Sequence, residues 1–317
     1  MILVTGASGY VGSALVPKLL SEEFSVCAVD TFWFGDHLKE HKNLLKINAD
    51  VRKLRPIDLP EIDGIIHLAS VANDPSADLD PSLSWEIGGL GTRNICEIGM
   101  VKGIKVFILA SSGSVYGIKS DLRVVEELEL VPISVYNKVK MIKERICLSY
   151  QSDFRVVIYR PATICGWAPR LRLDLAVNAL SFGALKNQEI LVYGGSQMRP
   201  QLHIDDMVNG YIWAVKNNSL DGIYNIGFEN DTILGIAQKV KSVIKSEIKI
   251  MGSNDPRSYR LDSNKLLETG FAPTKNTTDA IFELKVRYEN GFIQESERNY
   301  NVNWMKASTE IMNSGSK

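Results

Sequence analysis

The 317-residue chain has no excess of either charge: 36 lysines and arginines stand against 37 aspartates and glutamates, and the signs are interleaved. Without a basic face there is no electrostatic footprint for nucleic acid. Cysteine is scarce, and Cys27, Cys96, Cys147 and Cys165 form no C-x-x-C pair. That excludes a disulfide framework or a thiolate zinc site and predicts reduced, buried thiols. Of four histidines, only His37 and His41 stand at i, i+4, and no further ligand accompanies them, so no metal is expected. No apolar run reaches the length of a bilayer span, and the first apolar stretch begins at residue 1, leaving no room for a signal peptide. The expectation is a cytoplasmic protein. No Pro/Gly/Ser-rich linker divides the chain either, which predicts one unit with two lobes.

What is present is concentrated at the start. The apolar run Met1–Val4 leads directly into Gly6, Gly9 and Gly12. Such glycines allow a tight strand-to-helix turn, a close approach of backbone to phosphate, and packing of helix on strand, so the helix N-terminus faces an anion. The turn Gly6, Ser8, Gly9, Tyr10, Val11 and Gly12 is therefore the expected cradle of a nucleotide pyrophosphate. A second apolar run, Phe24 to Val29, ends in Asp30, at the spacing of a carboxylate that takes both ribose hydroxyls of an adenosine. It would repel a 2′-phosphate, and Thr31-Phe32-Trp33 brings no arginine, so NAD is expected rather than NADP.

Further apolar, β-branched runs at Leu44–Ile47, Gly64–Leu68, Lys105–Ala110 and Arg155–Tyr159 alternate with helical periods at Leu83–Met100 and Val139–Tyr150. This β-α-β rhythm predicts a doubly wound parallel sheet with ligands beyond the C-terminal strand ends. The rhythm weakens after about residue 165, and the polar residues from Ala307 are expected to fray. Tyr136 and Lys140 form Y-x-x-x-K, which puts both on one helical face. An ammonium beside the phenol, with the positive ring of bound NAD, would lower the tyrosine pKa and make it a general base. Ser112, in the strand-end stretch Ala110–Gly117, would orient the substrate hydroxyl.

Taken together, these blocks resemble the NAD-dependent epimerase/dehydratase family of extended short-chain dehydrogenases, which act on nucleoside-diphosphate sugars. The likeness runs through GASGYVG, Asp30, Asp50-Val51, His67-Leu68-Ala69, SSGSVYG, YNKVK, Arg160-Pro161 and VYGGSQMRPQLHIDDM, over nearly the whole chain. It implies a Rossmann α/β core over residues 1–165, a smaller substrate-binding lobe over 166–306 with some segments returning to the core, and a flexible tail at 307–317. It further implies that Asp50 holds the adenine amino group, that Val51 packs on the ring, and that Leu68 and Ala69 line the cofactor. Lys140 would also hold the nicotinamide ribose. Arg199 would bind the substrate diphosphate, Arg257 or Arg260 would add a phosphate contact, and Ser114 and Thr163 would face the sugar nucleotide. His203, Asp205 and Asp206 would form a structural turn. The family also implies a homodimer through the fourth and fifth helices of the core.

Departures from the family pattern narrow the reaction. Gly113 and Ser114 stand where 4,6-dehydratases carry an Asp-Glu pair, so elimination of water is not expected. Gly88 replaces an Asn, Thr163 replaces another, and Ala72 replaces a pyrophosphate-binding lysine of many 4-epimerases. The stretches ANDPSADLDPSLSWEI and PRLRLDLAVN are similar to a branch of surface-polysaccharide sugar oxidoreductases, with Arg170, Arg172 and Asn178 at the nucleotide-sugar entrance. The reading is oxidation at C4 of a nucleotide-linked sugar, by a C4 dehydrogenase or a 4-epimerase, and Ala72 and Gly88 tilt it toward net oxidation. A reductase of a 4-keto sugar shares every residue. A non-catalytic NAD sensor would need the glycines and Asp30 but no proton relay.

Overall fold

The computed structural model describes residues 1–121, 123–253 and 258–314. The apolar runs form β1 (Ile2–Thr5), β2 (Val26–Asp30), β3 (Leu44–Asn48), β4 (Gly64–His67), β5 (Val106–Ala110) and β6 (Arg155–Pro161). The second lobe contributes β7 (Thr163–Cys165), β8 (Glu189–Tyr193) and β9 (Met198–His203). The chain then returns to the core as β10 (Gly222–Ile226) before β11 (Glu229–Thr232) and β12 (Glu247–Met251). The main sheet has seven strands in the order β10-β6-β5-β4-β1-β2-β3, and every pairing in it is parallel. Strand order reverses between β1 and β4, and a crevice opens at that switch point.

Both faces of the sheet are covered, which is why its strands read as apolar runs without alternation. On one face the helices Tyr10–Ser21 and Ile204–Lys216 pack through Leu15, Leu19, Met207 and Tyr211. On the other, Gly91–Lys102 and Val135–Leu148 pack through Ile95, Ile98 and Cys147. The second lobe joins the small sheets β11-β9-β7 and β12-β8 to helices Ala176–Asn187, Ile233–Val243 and Thr277–Glu289, around Val177, Ile190, Ile236 and Ile281. Where fraying was expected from Ala307, the backbone is helical from Asn301 to Ser314.

The helical period at Leu83–Met100 is not one helix. Pro81–Trp85 passes through a π-helical turn, Glu86–Leu90, into Gly91–Lys102. The turn lies against the helix of Tyr136, and a Cβ added at Gly88 would lie 2.1 Å from Val139 Cγ1. Val139 thus fills the space a side chain at 88 would need. Gly88→Ala should destabilise the chain by about 1–3 kcal/mol in a urea titration, and Val139→Ala in the same chain should recover part of that loss.

Candidate active site

The crevice at the switch point is a cleft of about 560 Å³ lined by both lobes, within the range of small-molecule sites. At its adenosine end the glycine turn meets the sheet. Gly6 has φ +69°, and a Cβ there would lie 2.8 Å from the Ala69 nitrogen. At Gly12 a Cβ would lie 2.4 Å from Gly6 O and 2.5 Å from Ala7 O, so only glycine lets the helix start this close to the strand. The helix Tyr10–Ser21 begins with no side-chain cap and no acidic residue in its first turn. Its free N–H groups and positive dipole end suit a diphosphate.

Asp30 completes this end. Its Oδ2 accepts the Ser8 N–H at 2.9 Å and its Oδ1 the Phe32 N–H at 2.8 Å. Burial raises its pKa, and the backbone donors oppose that rise. Each oxygen keeps acceptor capacity for a ribose hydroxyl. Asp50, Val51, Leu68 and Ala69 line the same cleft. The Asp50 carboxylate is gripped by Arg52, with Nη2 at 2.6 Å, and this hydrogen bonding holds its pKa below the usual carboxylate value. Ser8 departs from expectation: its hydroxyl donates to Gly35 O and accepts from His37 N, both at 2.8 Å. Only 2% exposed, it ties down the loop after β2 instead of facing the cleft.

At the reactive end, Ser112, Ser114, Tyr136, Lys140 and Thr163 come together. Ser112 Oγ lies 2.7 Å from Ser114 Oγ, and the Ser114 hydroxyl donates to Asn137 Oδ1 at 2.6 Å. The protein groups by themselves act on the tyrosine in the other sense from the lowering expected with NAD bound. Burial pushes the Tyr136 phenol up to about 12; the negative charge of Asp74 adds to the rise, and a hydrogen bond with Ser112 only partly offsets it. Lys140 donates to Ala110 O at 2.8 Å and lies 5.5 Å from the Tyr136 ring centre. Burial, with a smaller push from Lys143, carries its own pKa well below that of a free lysine. With its pKa lowered and its amine tied to a carbonyl, Lys140 does little for the phenol.

The second-lobe residues divide. Arg199 and Arg172 line the cleft, and Arg172 is paired with Asp174 at 2.8 and 3.0 Å. Asn178 was expected at the entrance but is fully buried. It accepts from Gly166 N and donates to Gly166 O, Arg172 O and Tyr10 Oη at 2.8–3.2 Å. It braces the turn after β7 against Tyr10, whose phenol in turn donates to Gly166 O at 2.6 Å. Arg257 lies outside the described residues. Arg260 flanks the β-bridge in which Val124 N donates to its carbonyl at 2.8 Å. His203 caps the helix Ile204–Lys216, accepting from Asp205 N at 3.1 Å, and Asp206 holds Thr274 and Lys275.

Several residues in and behind the site escaped the sequence reading. Lys143 is buried and donates to Ala69 O at 2.8 Å, with its pKa pushed down by burial to about 8. It stands three residues after Lys140, a spacing that shares a helical face. Asp74 accepts the Ser134 hydroxyl and lines the cleft beside Asn73. Asn301 and Met305, on the last helix, also line it.

The family model for the NAD dependent epimerase/dehydratase family matches residues 2–227. The chain belongs to that family. Its cofactor is NAD, and the glycine turn, the open helix end and Asp30 fit it. UDP-glucuronic acid decarboxylase 1 of Danio rerio is 31% identical over 285 residues, covering 83% of this chain. The chain spans 66% of that relative's length. An uncharacterised UDP-glucose epimerase of Bacillus subtilis, YtcB, is 31% identical over 266 residues, covering 76% of this chain and 81% of its own. The structure of a UDP-glucuronic acid 4-epimerase from Bacillus cereus with UDP-glucuronic acid and NAD superposes with a TM-score of 0.81 at 26% identity, covering 92% of this chain and 99% of the other.

Asp74 gives the site a test by pH. Its negative charge disfavours phenolate, so Asp74→Asn, which keeps an acceptor for Ser134, should lower the Tyr136 pKa. The rising limb of the pH–rate profile should then move to lower pH, whereas an unmoved limb would separate Asp74 from the phenol.

Proposed function

We propose that the chain is a nucleoside-diphosphate-sugar 4-epimerase that oxidises the C4 hydroxyl and returns the hydride within one binding event. The observation that carries this reading is the joining of Ser112, Tyr136 and Lys140 with the glycine turn and Asp30 in a single cleft. NAD, when bound, supplies a hydride acceptor and a positive ring whose charge opposes the effects of burial and Asp74 on the phenol. Tyr136 Oη takes the proton of the sugar hydroxyl while Ser112 Oγ orients that hydroxyl. Lys140 reaches the cofactor ribose, and Arg199 holds the substrate diphosphate as a guanidinium fork. Thr163 and Ser114 face the sugar.

Retention of the hydride is favoured over net oxidation by the last helix. Asn301 and Met305 line the cleft, and the Trp304 indole donates to Trp33 O at 2.7 Å. This helix forms part of the wall of the cofactor cleft, and an epimerase needs no exchange of cofactor past it. No Asp-Glu pair stands at Gly113-Ser114, which argues against 4,6-elimination. A second reading, decarboxylation of a sugar acid after the same C4 oxidation, is favoured by the 31% identity to a UDP-glucuronic acid decarboxylase. A 4-keto sugar with a C5 carboxylate is a β-keto acid. We further propose a role in surface-polysaccharide sugar synthesis, a cytoplasmic location, and a homodimer through Gly91–Lys102 and Val135–Leu148. Exposed Met100 and Val101 on the first of these helices support the pairing; among the described residues no helix is long and apolar enough to cross a membrane.

Tyr136→Phe should lower turnover by about 10²–10⁴-fold while NAD still binds; a variant keeping more than a tenth of the rate would remove the proton-transfer role. Stoichiometric enzyme supplied with nucleotide hexoses and hexuronates, followed by nicotinamide absorbance and mass spectrometry, separates the readings. A steady mixture of C4 epimers with no added oxidant supports the epimerase. Persistent reduced cofactor with a 4-keto sugar, or loss of carbon dioxide, would replace it.

A further inference from the structure

Arg170 has no role in the reaction as described, yet it is the most unusual charge in the cleft. It is 3% exposed, and its Nε has no hydrogen-bond partner among the described residues. Its Nη2 donates to Asn301 Oδ1, and its guanidinium carbon lies 4.1 Å from the centre of the Phe34 ring. The nearest carboxylate partner in its own segment, Asp174, is already committed to Arg172 and to Asn301 N. A buried guanidinium with an orphan donor and no carboxylate of its own is costly unless an anion joins it.

Its surroundings say which anion. The Arg170 backbone N–H donates at 3.1 Å to Ser13 Oγ, which ties the residue to the opening turn of the helix that starts at the glycine cradle. Phe34 belongs to the loop that follows Asp30, and Asp30 is among the groups whose charge acts on Arg170. Tyr136, at the reactive end, responds to Arg172 and Asp74. Arg170 therefore belongs to the adenosine half of the cleft. The Asn301 amide that accepts from it also donates to Ala72 O at 3.3 Å, at the position where the sequence lacks a lysine for the cofactor phosphates.

We propose that Arg170 binds the pyrophosphate of the cofactor, not the substrate, and that Asn301 positions it there from the last helix. A cation from the second lobe thus takes up the phosphate charge that residue 72 leaves unanswered, opposite the N–H groups of the first helical turn. A guanidinium suits this task because it donates in a planar fork and stays charged. Burial lowers its pKa to about 9, and a phosphate beside it acts in the opposite sense.

The proposal rests on the reading of the cleft as an NAD site, and calorimetric titration of the full chain keeps the two apart. NAD, ADP and adenosine are titrated into the unmodified chain, Arg170→Met and Arg170→Lys, and UDP is titrated into each with NAD saturating. Loss of a charge-assisted bond to phosphate should weaken NAD and ADP by about tenfold or more in Arg170→Met, with adenosine and UDP within about twofold. Arg170→Lys should recover part of the loss, and the salt dependence of NAD binding should flatten in Arg170→Met. Equal weakening of adenosine and ADP would make Arg170 a structural brace, and weakening of UDP alone would return it to the substrate site; either overturns the proposal while leaving the NAD site standing. An unmodified chain that binds neither NAD nor ADP would sink both.

Discussion

The helix Val135–Leu148 is held to the sheet by buried charge, and the position of the reactive groups follows from that. Three side chains on one of its faces reach the ends of neighbouring strands: Lys140 to Ala110 O at the end of β5, Lys143 to Ala69 O after β4, and Glu144 to Arg160 on β6 at 2.7 Å and to the Ser111 hydroxyl. Glu144 and Arg160 are 2% and 3% exposed. The pair adds little net stability, yet losing one member would strand the other, at a cost of about 3–5 kcal/mol. Arg160 also donates to the Tyr116 hydroxyl, which in turn donates to Asn225 Oδ1 on β10. The network therefore fixes the register of Tyr136 against β4, β5 and β6 together.

The same helix explains the packing opposite it. With Val139 pressed against the π-helical turn, residue 88 has no room for a side chain, and the preceding helix bends where Glu86–Leu90 widens. Glycine acts at both ends of the crevice for one reason: Gly12 lets a helix approach a strand, and Gly88 lets a helix approach a helix. Each removes a Cβ where backbone or a branched side chain already lies within bonding-like distance.

Local spacing made part of this legible. Gly6, Gly9 and Gly12, Asp30, and the Tyr136–Lys140 pair each encode their geometry within one turn or one strand, and the structure unites them in the cleft. Ser8 and Asn178 misled because a polar side chain near a ligand and one satisfying buried backbone look alike in sequence; both turned out to be fully hydrogen-bonded within the protein. The burial of Tyr136 and the charge of Asp74, 62 positions away along the chain and close only in space, were also beyond reach, and both raise the pKa of the phenol. The last helix was hidden by its polar composition, in which three contacts, Asn301, Trp304 and Met305, carry its docking.

Those contacts change what the cleft can do. Met305 packs with Val71 and Ala77, Trp304 holds the loop after β2, and Asn301 bridges Ala72, Arg170 and Asp174. One helix thus touches the loop after β2, the loop after β4 and the second lobe, three walls of the cleft. This wall contributes no residue to either main core among the described residues. Under the proposed epimerase reading, opening of this wall has to be slower than the turning over of the sugar within the cleft, the condition under which a hydride is returned rather than lost.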